Sequence, residues 1–387
     1  MTGRRNTGFF LVALAAMTVQ GACSGGSGAT PAADAGGSGG QSATGGASGS
    51  GGTGSGGANG SGGSGAGGTS SGGAGGDTVS DAGNDSAPAS DGGALTDAAA
   101  SDAAATGPVA PVMRNGRWAF DIGDLTFEAD PQTGGRITTF SLGGNNILTG
   151  PTVNATYWGS TFWTSPESQW MQPPPVEIDS APFTVTSTAT SVTMVGPASP
   201  LLGVSVSKTF SADRASGAIQ VTYKLTNTKT AVLHMAPWEV TRVFPGGLTF
   251  FPTGSKMMLS NGSTLPTTAQ AGITWFAYDA TKVTADSKLY ADGAEGWLAH
   301  ADQGWVLIKK FADVPAAQIA PGEGDVELYT NKLHTYIEME DQGAYGSIAA
   351  GASTTWTVTW YLKRLPANAG VTPGDPNLIQ FIRDSIR

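Results

Sequence analysis

Two glutamates alternate with apolar residues in Tyr336-Ile337-Glu338-Met339-Glu340. On a strand, Ile337 and Met339 face one way and Tyr336, Glu338 and Glu340 the other, with the two carboxylates about 7 Å apart at 3.3–3.4 Å per residue. Like charges at that spacing on a partly dry surface raise one pKa and suit general acid/base work; on a wet surface the same pair is a solvated strand face. A second run, Leu233-His234-Met235-Ala236-Pro237-Trp238-Glu239-Val240-Thr241-Arg242, puts His234, Ala236, Trp238 and Val240 on one parity and Met235, Pro237, Glu239 and Thr241 on the other. His234 and Glu239 therefore point to opposite faces. Glu239 is a charge among apolar neighbours, whereas His234 alone reads first as a satisfied structural histidine and second as a catalytic one. Pro237 within the run predicts an edge strand or a bulge. Arg136 follows Gly134-Gly135 onto a strand, where its fork of donors grips vicinal hydroxyls or a carboxylate, or closes an ion pair at the core edge.

The densest feature is the stretch from Tyr157 to Pro175, with Tyr157, Trp158, Phe162, Trp163 and Trp170 followed by three consecutive prolines. Indole rings with polar neighbours suit sugar faces, whose C–H groups pack on the ring while hydroxyls meet Gln and Glu. The competing reading is a hydrophobic loop plugging the end of a β-sandwich. The expected cleft is lined by Arg136, Trp163, Trp170, Trp238 and Glu338, with Glu340, Glu239 and His234 as the candidates for catalysis. His300 and His334 read as members of polar turns. No His/Asp/Glu spacing matches a metal site, and nucleophile elbows and phosphate loops are absent, so no metal or cofactor is expected.

The elements that must hold these residues are strands. Short alternating runs at 183–195, 205–210, 218–225, 305–310, 336–340 and 354–362 recur between Gly, Pro, Asn and Asp clusters. Period two at this density argues for antiparallel sheets with one packed and one wet face. The single helix candidate is 377–386. The fold class predicted is all-β, a large two-sheet antiparallel sandwich with a short C-terminal helix.

The chain has 387 residues and a net charge of -10, and its composition is divided along its length. Residues 24–106 hold 28 of the 58 glycines, seven Asp, no Lys or Arg and no aromatic residue, so they have no apolar area to offset chain entropy. All ten tryptophans lie in residues 107–387. The acidic balance argues against nucleic acid as a partner. With one cysteine, Cys23, neither an intramolecular disulfide nor a cysteine-rich zinc site can form.

Arg4-Arg5, an apolar run from Phe9 to Val19 and Gly21-Ala22-Cys23 form an export-signal layout too short for a comfortable membrane span. Small residues before a lone cysteine resemble a bacterial lipobox, which implies acylation of Cys23. Residues 1–22 then read as a lipoprotein signal peptide and 23–106 as a flexible tether with a span of roughly 50 Å. Residues 107–387 are the folded domain. The expected location is the bacterial cell envelope, lipid-anchored at the outer membrane or surface, with secretion as the alternative, and the expected state is a monomer.

Taken in order, Gly134-Gly135-Arg136-Ile137, Trp238-Glu239, and Glu338-Met339-Glu340 followed by Gly343 and Ile348-Ala349-Ala350-Gly351 resemble the galactose mutarotase-like β-supersandwich superfamily over residues 114–366. The block from Phe162-Trp163 to Pro174 is most similar to a bacterial branch of it. The resemblance implies carbohydrate binding on a concave sheet face, with Glu340 in place of the essential carboxylate. Aldose epimerases add a mid-domain histidine pair, of which His234 is the nearest counterpart here. Three readings follow: a surface-tethered carbohydrate-binding protein; a sugar epimerase or glycoside-cleaving enzyme using Glu340 with Glu239 or His234; and a structural envelope protein using the sandwich as scaffold.

Overall fold

The computed structural model describes residues 106–387. The signal segment, Cys23 and the tether up to residue 105 lie outside the described residues. In chain order the strands begin with β1 (Val112–Arg114), β2 (Arg117–Ile122), β3 (Leu125–Asp130), β4 (Arg136–Leu142), β5 (Asn145–Asn146) and β6 (Ser160–Ser165). A one-turn helix, α1 (Val176–Asp179), precedes β7 (Thr184–Ser187), β8 (Ser191–Val195), β9 (Val204–Asp213), β10 (Ala218–Asn227), β11 (Leu233–Val243) and β12 (Leu248–Leu259). Next come β13 (Thr267–Gln270), β14 (Ile273–Ala277), β15 (Ser287–Gly293), β16 (Trp297–Asp302) and β17 (Trp305–Lys310). The chain closes with β18 (Val326–Thr330), β19 (Ile337–Gln342), β20 (Gly346–Ile348), β21 (Ser353–Arg364) and helix α2 (Pro376–Ser385).

Every strand pairing is antiparallel, and two sheets result. The front sheet runs β1-β2-β3-β4-β6-β11-β19-β18-β15-β12. The back sheet runs β7-β8-β9-β10-β21-β17-β16-β12-β14-β13. Strand β12 serves both, because residues 248–252 pair with β14 and the chain then shifts register between Thr253 and Met257 to pair with β15. Crossing between sheets in this way closes one side of the sandwich without a loop.

Alternation decides which side chains lie between the sheets. Strand β9 alternates buried and half-buried residues along its whole length. Its inward set meets Phe127, Phe140 and Phe162 of the front sheet and Tyr223 and Trp360 of the back sheet in one apolar cluster. Phe162 stacks on Tyr223 at 4.2 Å, and Phe140 meets Trp360 edge-on at 5.5 Å; aromatic pairs of this kind contribute about 0.5–1.5 kcal/mol beyond their burial. Helix α2 covers the outer face of the back sheet. Asp375 caps it by accepting from the Leu378 N–H at 2.8 Å, and Pro376 occupies the first turn, where no amide donor is missed. Its buried Leu378, Ile379 and Ile382 sit on Leu248, Phe250, Trp275 and Trp297.

Three local expectations are corrected. The run 183–195 is a hairpin, since Thr188 to Thr190 turn the chain between β7 and β8 with the Thr188 hydroxyl accepting from the Thr190 and Ser191 amides. Pro237 is in a central strand. It falls between Met235, paired with β20, and Trp238, paired with β19, at the junction where β11 changes partner. His300 is in β16, fully buried, with Nδ1 2.8 Å from the Thr249 hydroxyl.

Burial pulls the His300 pKa down to about 3 from 6.5. A histidine that cannot accept a proton when folded leaves the unfolded state binding more protons between those values, so the stability it contributes is lost as pH falls from about 6.5 toward 3. The wild-type protein is expected to lose about 1 kcal/mol per pH unit in that window relative to His300→Gln, measured by urea unfolding at successive pH values; parallel pH profiles for the two proteins would contradict it.

Candidate functional site

Five neighbouring strands of the front sheet point one parity each at the same outer face. Register places Trp163 of β6 opposite Trp238 of β11, Arg242 opposite Glu338 of β19, Glu338 opposite Tyr329 of β18, and Tyr329 opposite Lys288 of β15. One row away, Glu340 stands opposite Glu327. Over this face lies a cleft of about 280 Å³ lined by Tyr157, Trp163, Glu167, Gln172, Trp238, Lys288, Tyr329, Tyr336 and Glu338.

The floor is a set of ion pairs. Glu338 accepts from Arg242 Nε at 2.8 Å, and the Arg242 guanidinium lies 5.2–5.9 Å from the ring centroids of Tyr157, Trp163 and Tyr336. Lys288 Nζ bridges Glu327 at 2.7 Å and Glu340 at 2.9 Å, and sits 4.9 Å from the Trp238 ring. Trp238 Nε1 donates to the same Glu340 oxygen at 3.0 Å. Burial pushes the Glu338 carboxyl up to about 7, Arg242 and Lys288 pulling it back and Glu340 adding to the rise. Burial also opposes the charge on Lys288, but Glu327 and Glu340 outweigh it and hold its pKa well above the ordinary lysine value. A carboxyl near 7 that faces the cleft can donate or accept at neutral pH.

One wall hangs on a second constellation. Gly134 has φ +66°, and a Cβ there would collide with the Asp179 carbonyl, so the glycine lets α1 pack against the start of β4. That approach brings the Asp179 carboxylate to Arg136 Nη2 at 3.0 Å and to Trp163 Nε1, which donates to it at 2.9 Å. Arg136 also donates to the Thr156 carbonyl at 3.0 Å and lies 4.7 Å from the Trp158 ring. Trp170 packs edge-on to Trp163 at 5.7 Å and donates to the Thr164 carbonyl. The loop is pinned further by Tyr157, whose hydroxyl donates to Gln172 at 3.1 Å, and by Gln169, which donates to the His234 carbonyl.

The structure brings Trp163, Trp238 and Glu338 to the cleft and sets Glu340 directly beneath it. Trp170 and Arg136 stand behind its wall. Glu239 is not in the cleft: its parity turns it between the sheets, where it is fully buried and takes Lys309 at 2.7 Å, Trp360 Nε1 at 3.0 Å and the Tyr223 hydroxyl. Asp341 shares that Lys309. His234 is exposed at the start of β11, with Tyr345 6.4 Å away, and does not line the cleft. Lys288, Arg242, Glu327 and Tyr329 are functional candidates that the sequence reading passed over. Lys288-Leu289-Tyr290 and Glu327-Leu328-Tyr329 carry the same polar/apolar alternation as Glu338-Met339-Glu340, and that shared period was the available signal. Among the described residues no group of three or more His, Cys, Asp and Glu side chains is placed to hold a metal ion, and no helix is long and apolar enough to cross a membrane.

Residues 172–363 match a family described as a domain of unknown function, DUF4380. Comparison with curated proteins gives no match. Among solved structures, the chain is similar to a galactose mutarotase-like protein from Lactobacillus casei, at 11% identity and TM-score 0.48 over 64% of this chain and 100% of that one. A galactose mutarotase-like protein from Clostridium acetobutylicum is similar at 10% identity and TM-score 0.43, over 64% and 95% of the two chains. A Synechocystis protein is similar at 11% identity and TM-score 0.46, over 67% and 98%.

Proposed function

We propose that residues 107–387 are a carbohydrate-binding domain whose ligand occupies the cleft over the front sheet. The observation that carries this reading is the lining itself, where the rings of Trp163, Trp238, Tyr157 and Tyr336 share about 280 Å³ with Glu338, Gln172 and Lys288. Apolar rings with a few convergent polar groups are the composition that sugar C–H faces and hydroxyls require. Binding is favoured over epimerase-type turnover because no histidine lines the cleft and each carboxylate on its floor is engaged by Arg242 or Lys288. Tryptophan fluorescence titrated with a panel of mono- and oligosaccharides is expected to shift on addition of at least one member. Silence across the panel would sink the reading.

A second reading, a sugar epimerase or glycoside-cleaving enzyme, is favoured by one observation: Glu338 faces the cleft with its pKa near 7. Release of a product or anomer interconversion by the unmodified protein would move the assignment there.

The proposal extends to location. Cys23, acylated after removal of residues 1–22, holds the domain at the cell envelope through the tether 23–106. Cys23→Ala is expected to move the protein from the membrane fraction to the soluble fraction, and undiminished membrane retention would contradict the anchor.

A further inference from the structure

One carboxylate that lines the cleft has no cation beside it among the described residues, and that unpaired charge selects among sugars. Carboxylates of Glu167, Glu327, Glu338 and Glu340 line or underlie it, against the cations Lys288 and Arg242. Lys288 is shared between Glu327 and Glu340, and Arg242 is committed to Glu338. Glu167 remains. It lines the cleft half-buried, and among the described residues no cation stands within ion-pair distance of its carboxylate. Burial raises its pKa; Lys288 and a hydrogen bond with the Gln172 side chain oppose the rise, while Glu340 and Glu323 add to it, so further acidic groups stand close by.

A second observation is independent of that charge count. Glu340 is fully buried, and its Oε1 has no hydrogen-bond partner, although its other oxygen is held by Trp238 and Lys288, both cleft residues. A buried acceptor is costly to leave unpaired, and this oxygen adds negative potential beneath the cleft floor, where it favours a cationic ligand above. The aromatic walls act in the same direction, since ring faces carry negative potential and attract cations, as the placement of Lys288 over Trp238 already illustrates.

Resting on the carbohydrate reading above, we propose that the ligand is a cationic amino sugar, a pyranose or short oligosaccharide bearing a free protonated amine, with the ammonium received by Glu167. A neutral or N-acylated sugar leaves Glu167 unpaired, and a uronate meets like charge.

The test is calorimetric titration of the purified protein at low salt with glucosamine, glucose, N-acetylglucosamine and glucuronate, and with matched oligosaccharides. The amine is expected to bind about tenfold more tightly than its neutral counterpart, as one partly buried charge pair can supply, with the uronate weakest and the gap narrowing as salt is added. Glu167→Gln is expected to bring the ratio of the amine and neutral dissociation constants toward one. Neutral or acidic sugars binding as tightly as the amine would overturn the proposal and leave the carbohydrate reading standing, as would an amine preference undiminished in Glu167→Gln. No binding by any sugar would overturn both.

Discussion

Lys309→Met is expected to lower folding stability by about 3–5 kcal/mol, the cost of leaving a buried carboxylate without its cation. Lys309 is fully buried between the sheets, where it joins Glu239 of β11 and Asp341 of β19, a neighbouring pair on the core face of the front sheet, to the back sheet through its own strand β17. Burial disfavours the charge on Lys309, but Asp341 and Glu239 outweigh it and raise its pKa. Asp341 is itself pushed well above the ordinary carboxylate value by burial, against the pull of Lys309. Without the ammonium, Glu239 would be a dry anion whose remaining side-chain donors among the described residues are Tyr223 and Trp360. The double variant Lys309→Met/Glu239→Gln is expected to recover a large part of the loss, because the amide is neutral, its oxygen still accepts from the Trp360 indole, and its NH2 can donate to the Tyr223 hydroxyl, which turns to accept. Urea unfolding of the three proteins measures this; a loss below about 1 kcal/mol for the single variant, or no recovery in the double, would show that the cluster is not held by that ion pair.

Asp179→Ala is expected to have a similar effect on stability and a further effect on ligand binding. It removes the only carboxylate paired with the buried Arg136 guanidinium among the described residues and the acceptor of the Trp163 indole, so about 3–5 kcal/mol should be lost. Trp163 is a cleft wall. Freed from Asp179, its ring should no longer be fixed in one orientation, and sugar affinity should fall about tenfold or more. Asp179→Asn keeps an oxygen for the indole while removing the charge and turning an NH2 donor toward Arg136, so it should lose stability while retaining more of the affinity. Equal affinity for Asp179→Ala and wild type would show that the Arg136–Asp179 pair supports the fold and does not position Trp163.

Alternation made much of this fold legible. The run 305–310 is β17, and the parities of Glu338 and Glu340 against Ile337 and Met339 hold because side-chain direction in a strand depends only on the backbone period. Period two does not reveal which face of a sheet meets the second sheet. Glu239, a charge among apolar residues, therefore read as a cleft carboxylate, although its partner Lys309 sits far along the chain on β17. The same long-range pairing hid Lys288, whose carboxylates come from β18 and β19. His300 was misplaced because the short turn Gln303-Gly304, joining β16 to β17, follows it closely, while burial on the strand comes from the sheet and not from local composition. The glycines before Arg136 fit a ligand-gripping arginine and an ion pair at the core edge equally well from sequence, and the structure has the ion pair. What those glycines permit is the approach of α1, which brings the Asp179 carboxylate to the guanidinium and leaves Arg136 outside the cleft lining.

We propose that one face of the front sheet, walled by Trp163 and Trp238 over the Glu338–Arg242 and Glu340–Lys288 pairs, is where the ligand binds. The most direct measurement is a crystal structure of the protein with a saturating sugar from the titration panel. The pyranose is expected to pack against Trp163 or Trp238 with its polar groups on Glu167, Glu338 or Lys288. A sugar bound elsewhere on the domain, with this cleft empty, would contradict it.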